Sequence, residues 1–132
     1  MNNTNNVKSK IMGIDYGSKR VGVAISDEGL KFAIPLSVIE NDEDLLTKVQ
    51  KIAVDSEVMQ IVMGESKDYK GLPNPILLDS LEFKNKLESL GFVVYLEPEF
   101  MTSVQAERLQ GKNDLSDASA AALILQSYLD KK

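Results

Sequence analysis

Three acidic residues in this sequence have the types and positions needed to hold a divalent cation. Asp15 ends a short apolar run, Glu99 closely follows another, and Asp117 stands near the start of a segment with helical periodicity. Mg²⁺ and Mn²⁺ suit carboxylate oxygen ligands, so such a site needs neither histidine nor cysteine. Two such ions about 3.5–4 Å apart would activate a water and stabilise the leaving oxygen in phosphoryl transfer. If the three acids converge, they provide the ligands for two-metal phosphoryl transfer.

Each of these acids also has a simpler interpretation when it is taken alone. Asp15 could initiate a turn by bonding its own backbone, Glu99 could be an exposed loop acid, and Asp117 could be a first-turn acid favoured by the helix dipole. Two further acids are candidates for the same site. Glu65 directly follows an apolar run and could replace or supplement Glu99, and Asp114 could reach the side of Asp117 or cap its helix.

Composition narrows the possible chemistry. The 132 residues include no histidine and no cysteine. This excludes a Ser-His-Asp triad, metal sites built from His or Cys, and disulfide bonds. The net charge of −5 argues weakly against nucleic acid as a partner, although bound cations would reverse the local sign of an acidic site.

Segment composition predicts one soluble domain. Residues 1–9 are polar and rich in Asn, which indicates a frayed tail and not a signal peptide or an anchor. No apolar run approaches the length needed to span a membrane. We therefore expect a cytoplasmic protein with a single domain over residues 10–132.

Hydrophobic periodicity predicts the element order βββαβαβαα. The predicted strands cover residues 10–14, 20–26, 32–39, 58–63 and 92–96. The predicted helices cover residues 43–55, a segment after Pro75 that ends at 90, a short one from 102 or 103 to 110, and 116–129. Asn41 or Asp42 is expected to cap the first helix. Hairpins between the first three strands, followed by βα crossovers, predict an α/β ribonuclease-H-like fold. This is a mixed five-stranded sheet with antiparallel leading strands and helices on both faces.

Two features of the strands bear on how the helices pack. The second strand has small residues on one face, Gly22, Ala24 and Ser26, which would let a helix approach closely. Pro35 places the third strand at an edge of the sheet or at a bulge. The last helix is apolar nearly all round and is therefore expected to be buried beside the first strand.

Three segments resemble one known family. The runs Gly13–Asp27, Met101–Arg108 and Asp117–Leu129 are similar to the opening signature, the segment after the second acid, and the terminal helix of the YqgF (RuvX) family. The resemblance extends over roughly residues 10–130. It implies a ribonuclease-H-like fold, Mg²⁺ or Mn²⁺, and hydrolysis of nucleic-acid phosphodiesters. The family is linked to maturation of the precursor of small-subunit ribosomal RNA and was first proposed to resolve Holliday junctions.

The resemblance also suggests roles for single residues. The family's three acids correspond to Asp15, Glu99 and Asp117. Lys19 and Arg20 match its basic pair after the hairpin turn, and with Lys67 they are the expected nucleic-acid contacts. The alternative for the basic pair is a solvated hairpin end, which carries nearly equal weight.

The sequence departs from the family pattern at three places. Pro98 and Phe100 flank Glu99, where the family usually has an Asp-Glu-Arg triplet. The run Gly64–Gly71 replaces a Gly-Leu-Pro loop, and the stretch over 109–116 is shorter and less basic than usual. These departures keep a second reading open, in which the domain binds nucleic acid or ribosomal particles without cleaving. A resolvase acting on branched DNA is a further alternative, and the chain could be a monomer or a homodimer.

Overall fold

Within residues 10–67, 75–100 and 114–131, which the computed structural model describes, the chain forms a five-stranded mixed sheet. The strands are β1 (Lys10–Tyr16), β2 (Arg20–Ser26), β3 (Ala33–Glu40), β4 (Val58–Lys67) and β5 (Val93–Phe100). Their spatial order is β3-β2-β1-β4-β5. The first three strands are antiparallel, and β4 and β5 continue the sheet parallel to β1. The predicted fold class is confirmed.

Helices cover both faces of the sheet, as expected. Helices α1 (Leu45–Asp55) and α2 (Pro75–Ser89) pack on one face, and α3 (Asp114–Asp130) packs on the other. Among the described residues, no helix is long and apolar enough to cross a membrane. The last helix is less buried than its composition suggested, because Leu123 on its outer side is 50% exposed.

Strand alternation divides the central strands between two hydrophobic clusters. In β1, Met12 and Ile14 belong to the larger cluster under α1 and α2, whereas Ile11 belongs to the cluster under α3. In β4, Met63 faces α1 and α2 while Val62 faces α3. Because successive side chains point to opposite faces, these assignments fix which face every later residue of each strand occupies.

Three strands, β1, β4 and β5, and the last helix are longer than the sequence indicated. The predicted ends at Met63 and Leu96 are wrong, since the β4–β5 ladder continues from Gly64↔Glu97 to Lys67↔Phe100. Parallel pairing satisfies the backbone groups of both polar segments, and this outweighs their loop-like composition. The last helix begins at Asp114 and not at 116. The predicted tail over 1–9 and the predicted helix over 102–110 lie outside the described residues.

The start of α1 also differs from the expectation. Asp44 occupies the N-cap position and makes no side-chain cap hydrogen bond. The Asp42 side chain instead accepts a hydrogen bond from the Asp44 backbone N–H at 2.9 Å, so it stabilises the turn before the helix. Asn41 donates through its side chain to the carbonyl oxygen of Gly17 at 2.8 Å. Neither predicted residue caps α1, because both hold the chain that leads into it.

Strand β3 lies at the edge of the sheet and its pairing with β2 is irregular. The register shifts by one residue after Val23↔Ser37, so that Ala24 pairs with Pro35. The prediction of an edge or a bulge at Pro35 is confirmed in both respects. Ile34 and Leu36 on this strand are exposed by 52% and 49%, so the edge presents apolar side chains to solvent.

Two helix ends use backbone with positive φ. Glu57 follows the end of α1 with a φ of 60°, and Gly91 follows the end of α2 with a φ of 104°. Glycine adopts this conformation without a steric penalty, whereas a residue with a Cβ atom does not. Glu57 therefore places an exposed non-glycine residue where the backbone favours glycine.

We predict that Glu57→Gly stabilises the protein by about 0.5–1 kcal/mol, because relief of backbone strain exceeds the added entropy of the unfolded chain. Gly91→Ala should destabilise it by about 1 kcal/mol for the converse reason. Urea denaturation gives both free energies of unfolding. Exposed Glu88→Gly in the last turn of α2 is the control, and it should destabilise. A loss of stability in Glu57→Gly would contradict the strain argument.

The connection between β2 and β3 is organised by one carboxylate. Asp27 Oδ1 accepts hydrogen bonds from the backbone N–H groups of Lys31 at 2.7 Å and Phe32 at 2.9 Å. The Phe32 N–H is the main cause that holds the pKa of Asp27 below its ordinary value, and the Lys31 N–H adds to it. Leu30 completes the turn with a φ of 59° and packs its side chain against the α3 cluster.

The lowered pKa gives this turn a pH dependence of known sign. Its contribution to stability is present above the unfolded-state pKa, about 3.9, and is lost as pH falls through the lower folded-state pKa. We therefore expect Asp27→Asn to lower the urea midpoint at pH 7, and the deficit to shrink below about pH 4. Glu28→Gln, at an exposed neighbouring position, should show no such convergence. A deficit that is constant down to low pH would refute the role of the ionised carboxylate.

Candidate active site

Asp15 lies near the end of the central strand and faces α3. A Cβ atom at Gly13, two residues earlier, would lie 2.7 Å from Cβ of Leu125 and 2.8 Å from the carbonyl oxygen of Ala121, so that position also faces α3. Strand alternation then assigns Asp15 to the same face. The residue is partly buried and lies at the edge where the parallel strands end. Sites in α/β sheets form at this edge.

Gly22 allows Asp117 to approach Asp15. It is the cross-strand partner of Asp15 in the β1–β2 register. A Cβ atom at Gly22 would lie 1.9 Å from the backbone carbonyl oxygen of Asp117, so α3 rests directly on the backbone of β2. Cross-strand partners have Cβ atoms about 4.5–5.5 Å apart, so the Cβ atom of Asp15 is roughly 7 Å or less from that carbonyl oxygen. The structure thus brings Asp15 and Asp117 together on one face.

Arg20 completes the group through an ion pair. Its Nε atom lies 3.0 Å from Oδ2 of Asp117, and the two side chains are 44% and 20% exposed. Oδ2 is itself buried and accepts no well-directed hydrogen bond from the described residues. The contact is therefore close in distance but poorly aligned, so charge and not a directional bond holds it.

The two candidates for a second carboxylate have different positions. Glu65 follows Met63 on β4 by two residues, so alternation places it on the face of α1 and α2, opposite Asp15. Glu99 pairs with Ser66 near the end of the β4–β5 ladder, and its side chain lies outside the described residues. The face assignment separates Glu65 from Asp15 and leaves position 99 as the candidate of the two.

A buried acid that the sequence reading passed over lies on the α3 face of β5. Glu97 is 4% exposed, and its Oε2 atom accepts from Ser127 Oγ at 2.7 Å and from Lys131 Nζ at 2.6 Å. Ser127 lies in the last turn of α3 and Lys131 directly follows the helix, four residues later. Next to them, the rings of Tyr95 and Tyr128 stack at 5.6 Å between centroids. The signal in the sequence was the spacing of two residues between Tyr95 and Glu97, which places both on one face of a strand. The prediction of a loop after Leu96 left that spacing unused.

The remaining predicted residues lie around this group. Lys19 is exposed in the β1–β2 turn, beside Arg20. Lys67 is the last residue of β4 and Asp114 is the first of α3, and the side chains of both lie outside the described residues. The β1–β2 turn and the start of α3 thus adjoin Asp15 and Asp117 in the chain, whereas Lys67 ends β4, the strand paired with β1.

The donor set fits a divalent cation with oxygen ligands. Asp15 and Asp117 offer carboxylate oxygens, and the buried Oδ2 of Asp117 has a lone pair without a directed donor among the described residues. Such ligands suit Mg²⁺ or Mn²⁺. Within the ranges that the structure describes, three potential ligands do not come together, so a third protein ligand would have to come from elsewhere.

A cleft on the other side of the sheet has a different character. It encloses about 130 Å³ near Tyr16 and the starts of α1 and α2. Its charged lining residues are Asp42, Glu43, Asp79, Glu82 and Lys86. It lies on the face of α1 and α2 and is separated from Asp15 and Asp117 by the sheet.

Comparison with known sequences identifies the family of this chain. A sequence model of the family described as RuvX, Holliday junction resolvase, matches residues 9–131. The chain belongs to the RuvX family. Among its relatives are proteins of Streptococcus pyogenes serotypes M2 and M5 that carry the name "Putative pre-16S rRNA nuclease". Each is 36% identical over 136 residues, covering 92% of this chain and 98% of the relative.

Solved structures share the fold of this RuvX-family chain. Thermus thermophilus RuvC in complex with a Holliday junction substrate is 14% identical with a TM-score of 0.57, covering 92% of this chain and 94% of RuvC. The fowlpox virus Holliday junction resolvase is 15% identical with a TM-score of 0.59, covering 93% and 99% of the two chains. At these identities the comparison concerns the fold, which is ribonuclease-H-like.

We predict that Gly22→Ala displaces the start of α3, because a methyl group has no room against the Asp117 carbonyl. The expected loss of stability is about 1–3 kcal/mol or more, as for other overpacked sites. Gly29→Ala is the comparison variant, because its Cβ would lie 3.3 Å from a side-chain oxygen of Asp27 and not 1.9 Å from backbone, so its effect should be smaller. Urea denaturation gives both values. Equal effects of the two variants would contradict the close approach.

Proposed function

We propose that this protein is a metal-dependent nuclease that hydrolyses phosphodiester bonds in the precursor of 16S ribosomal RNA, at its 5′ end. The observation that carries the proposal is the approach of Asp117 on α3 to Asp15 on β1, across Gly22. Two carboxylates from separate elements, held on a rigid sheet and helix, suit a cation site better than two acids on loops. The names of the streptococcal relatives support this RNA as the substrate.

In the proposed site, Asp15 and Asp117 hold Mg²⁺ or Mn²⁺, and Glu99 supplies a further carboxylate. When bound, such ions lower the pKa of a water and neutralise charge on the phosphate, and a pair of ions is the arrangement we propose. The chain provides the positions of the ligands. Asp15 is fixed by the β1–β2 ladder and Asp117 by the packing of α3 on Gly22. Because the chain has no histidine, deprotonation of the water cannot depend on an imidazole.

Basic residues at the rim are proposed to contact the nucleic-acid backbone. Lys19 and Arg20 at the β1–β2 turn, and Lys67 at the end of β4, are the residues that we assign to phosphate oxygens. The chain carries a net charge of −5, so these cations and the bound metal must provide the local attraction. We place the protein in the cytoplasm, with ribosomal particles as potential partners, and as a monomer or homodimer.

Two other functions have specific observations in their favour. The RuvX family is described as Holliday junction resolvase, which favours branched DNA as the substrate. The flanking of Glu99 by Pro98 and Phe100 favours a non-catalytic module that binds RNA or ribosomal particles. The three functions differ in the substrate that is cleaved and in whether cleavage occurs at all.

The double variant Asp15→Asn, Asp117→Asn should lose at least about a hundredfold in cleavage of a 16S precursor carrying a 5′ extension, because it removes two anionic ligands of the cation. The assay contains Mn²⁺ or Mg²⁺, and cleavage is followed by gel electrophoresis. Asp55→Asn, Asp79→Asn removes the same charge from exposed positions on α1 and α2 and is the matched control. It should retain activity.

Other outcomes of this assay would overturn the proposal in distinct ways. Unchanged activity in the Asp15, Asp117 double variant would reject the assigned site. Cleavage of a four-way DNA junction but not of the RNA precursor would identify a resolvase. Saturable RNA binding without cleavage in either metal would identify a non-catalytic binding module.

A further inference from the structure

Arg20 lies where a cation bound at Asp117 would compete with it for the carboxylate. It lies two residues before Gly22 on β2, so it faces α3, and Gly22 is the residue on which Asp117 rests. The backbone therefore keeps the guanidinium within reach of Oδ2 of Asp117, where the Nε–Oδ2 distance is 3.0 Å. Nearly half of the Arg20 side chain remains exposed, so its head has room to leave.

A second carboxylate lies on the other side of Arg20. The β2–β3 register pairs Arg20 directly with Glu40, and directly opposed residues share a face of the sheet. Glu40 is exposed at the end of β3. Arg20 thus contacts one acid, Asp117, and has a second, exposed acid, Glu40, at the directly opposed position of β3. If the guanidinium moved away from Asp117, the carboxylate of Glu40 would still be close enough to compensate its charge.

The charges of the group favour such a movement when a cation binds. Without a metal, Arg20 offsets one of the two negative charges of Asp15 and Asp117, and it contacts a buried oxygen that lacks a directed hydrogen bond. A divalent ion at these carboxylates would neutralise their two negative charges, so the attraction that holds the guanidinium at Asp117 would be lost. Oδ2 of Asp117 accepts no directed hydrogen bond from the described residues, so the exchange breaks no such bond at that oxygen.

We propose that Arg20 is the resident counter-cation of Asp117, that a divalent cation displaces it, and that the displaced guanidinium then binds a phosphate of the nucleic acid. Arg20 is a positioning residue in this scheme, because it couples cation binding to phosphate binding. By linkage, the cation strengthens nucleic-acid binding, and nucleic acid strengthens cation binding by the same factor. The inference rests on the proposed function in that it needs a cation at Asp117.

The first test measures Mn²⁺ affinity of the full chain by titration calorimetry. Arg20→Gln should bind Mn²⁺ about tenfold more tightly than the native protein, because the competing cation is gone; this corresponds to about 1.4 kcal/mol. Lys19→Gln removes the same charge from the neighbouring exposed position and should change the affinity less than twofold. In EDTA, Arg20→Gln should melt at a lower temperature than the native protein, and Mn²⁺ should remove this difference.

The second test measures binding of a single-stranded RNA oligonucleotide by fluorescence anisotropy, with EDTA and with Mn²⁺ at times shorter than cleavage. Native protein should bind the RNA more tightly with Mn²⁺, and Arg20→Gln should lose most of this gain. Lys19→Gln should keep the gain at lower overall affinity. Arg20→Lys retains the charge and should keep Mn²⁺ affinity near the native value, which provides a folded variant if Arg20→Gln is unstable.

The outcomes separate this inference from the proposed function. If native protein binds Mn²⁺ and Asp117→Asn does not, but Arg20→Gln matches Lys19→Gln, the cation site stands and displacement of Arg20 is refuted. Weaker Mn²⁺ binding by Arg20→Gln would also refute it, since Arg20 would then support the bound state. Absence of Mn²⁺ binding in the native protein and in Arg20→Gln would overturn both.

Discussion

The contact between α3 and the backbone of β1 and β2 is the constraint on which the rest of the site depends. Gly13 and Gly22 leave no room for a methyl group, so the helix lies against the sheet at two successive points along its length. This fixes both the height of the helix above the sheet and its position along the strands. Asp117 is carried to the β1–β2 hairpin as a consequence, and the geometry of Asp15, Asp117 and Arg20 follows from main-chain packing.

Glu97 and Asp117 lie on the same side of the sheet but differ in burial and in the partners of their carboxylates. Glu97 is fully enclosed and holds a hydroxyl and an ammonium group at short distances. Its charge is satisfied within the protein, as burial of a carboxylate requires. Asp117 is partly exposed and has one buried oxygen near a guanidinium without good alignment. Glu97 therefore links α3 to β5, whereas Asp117 has an oxygen that can still bind a ligand.

The sequence was sufficient for the fold and for part of the site. Alternation in β2 and the small residues on one side of it predicted both the strand and the close helix, because these depend on local pattern. The face of Glu65 was not predictable in the same way. Apart from Gln60, the run over 58–63 is apolar, so it carries no regular alternation from which to assign its continuation. The ends of β4 and β5 depend on their mutual pairing, and the Arg20–Asp117 contact joins residues distant in sequence. Neither leaves a local signal.

Pro35 has a consequence for how copies of this protein meet at high concentration. An outer strand with unpaired backbone groups and apolar side chains such as Ile34 and Leu36 invites another chain to add to the sheet. Proline offers no N–H group there, and the one-residue shift opposite Ala24 breaks the regular spacing that an added strand would need. The exposed apolar side chains of β3 can therefore contact another molecule, whereas the addition of a further strand at this edge is opposed.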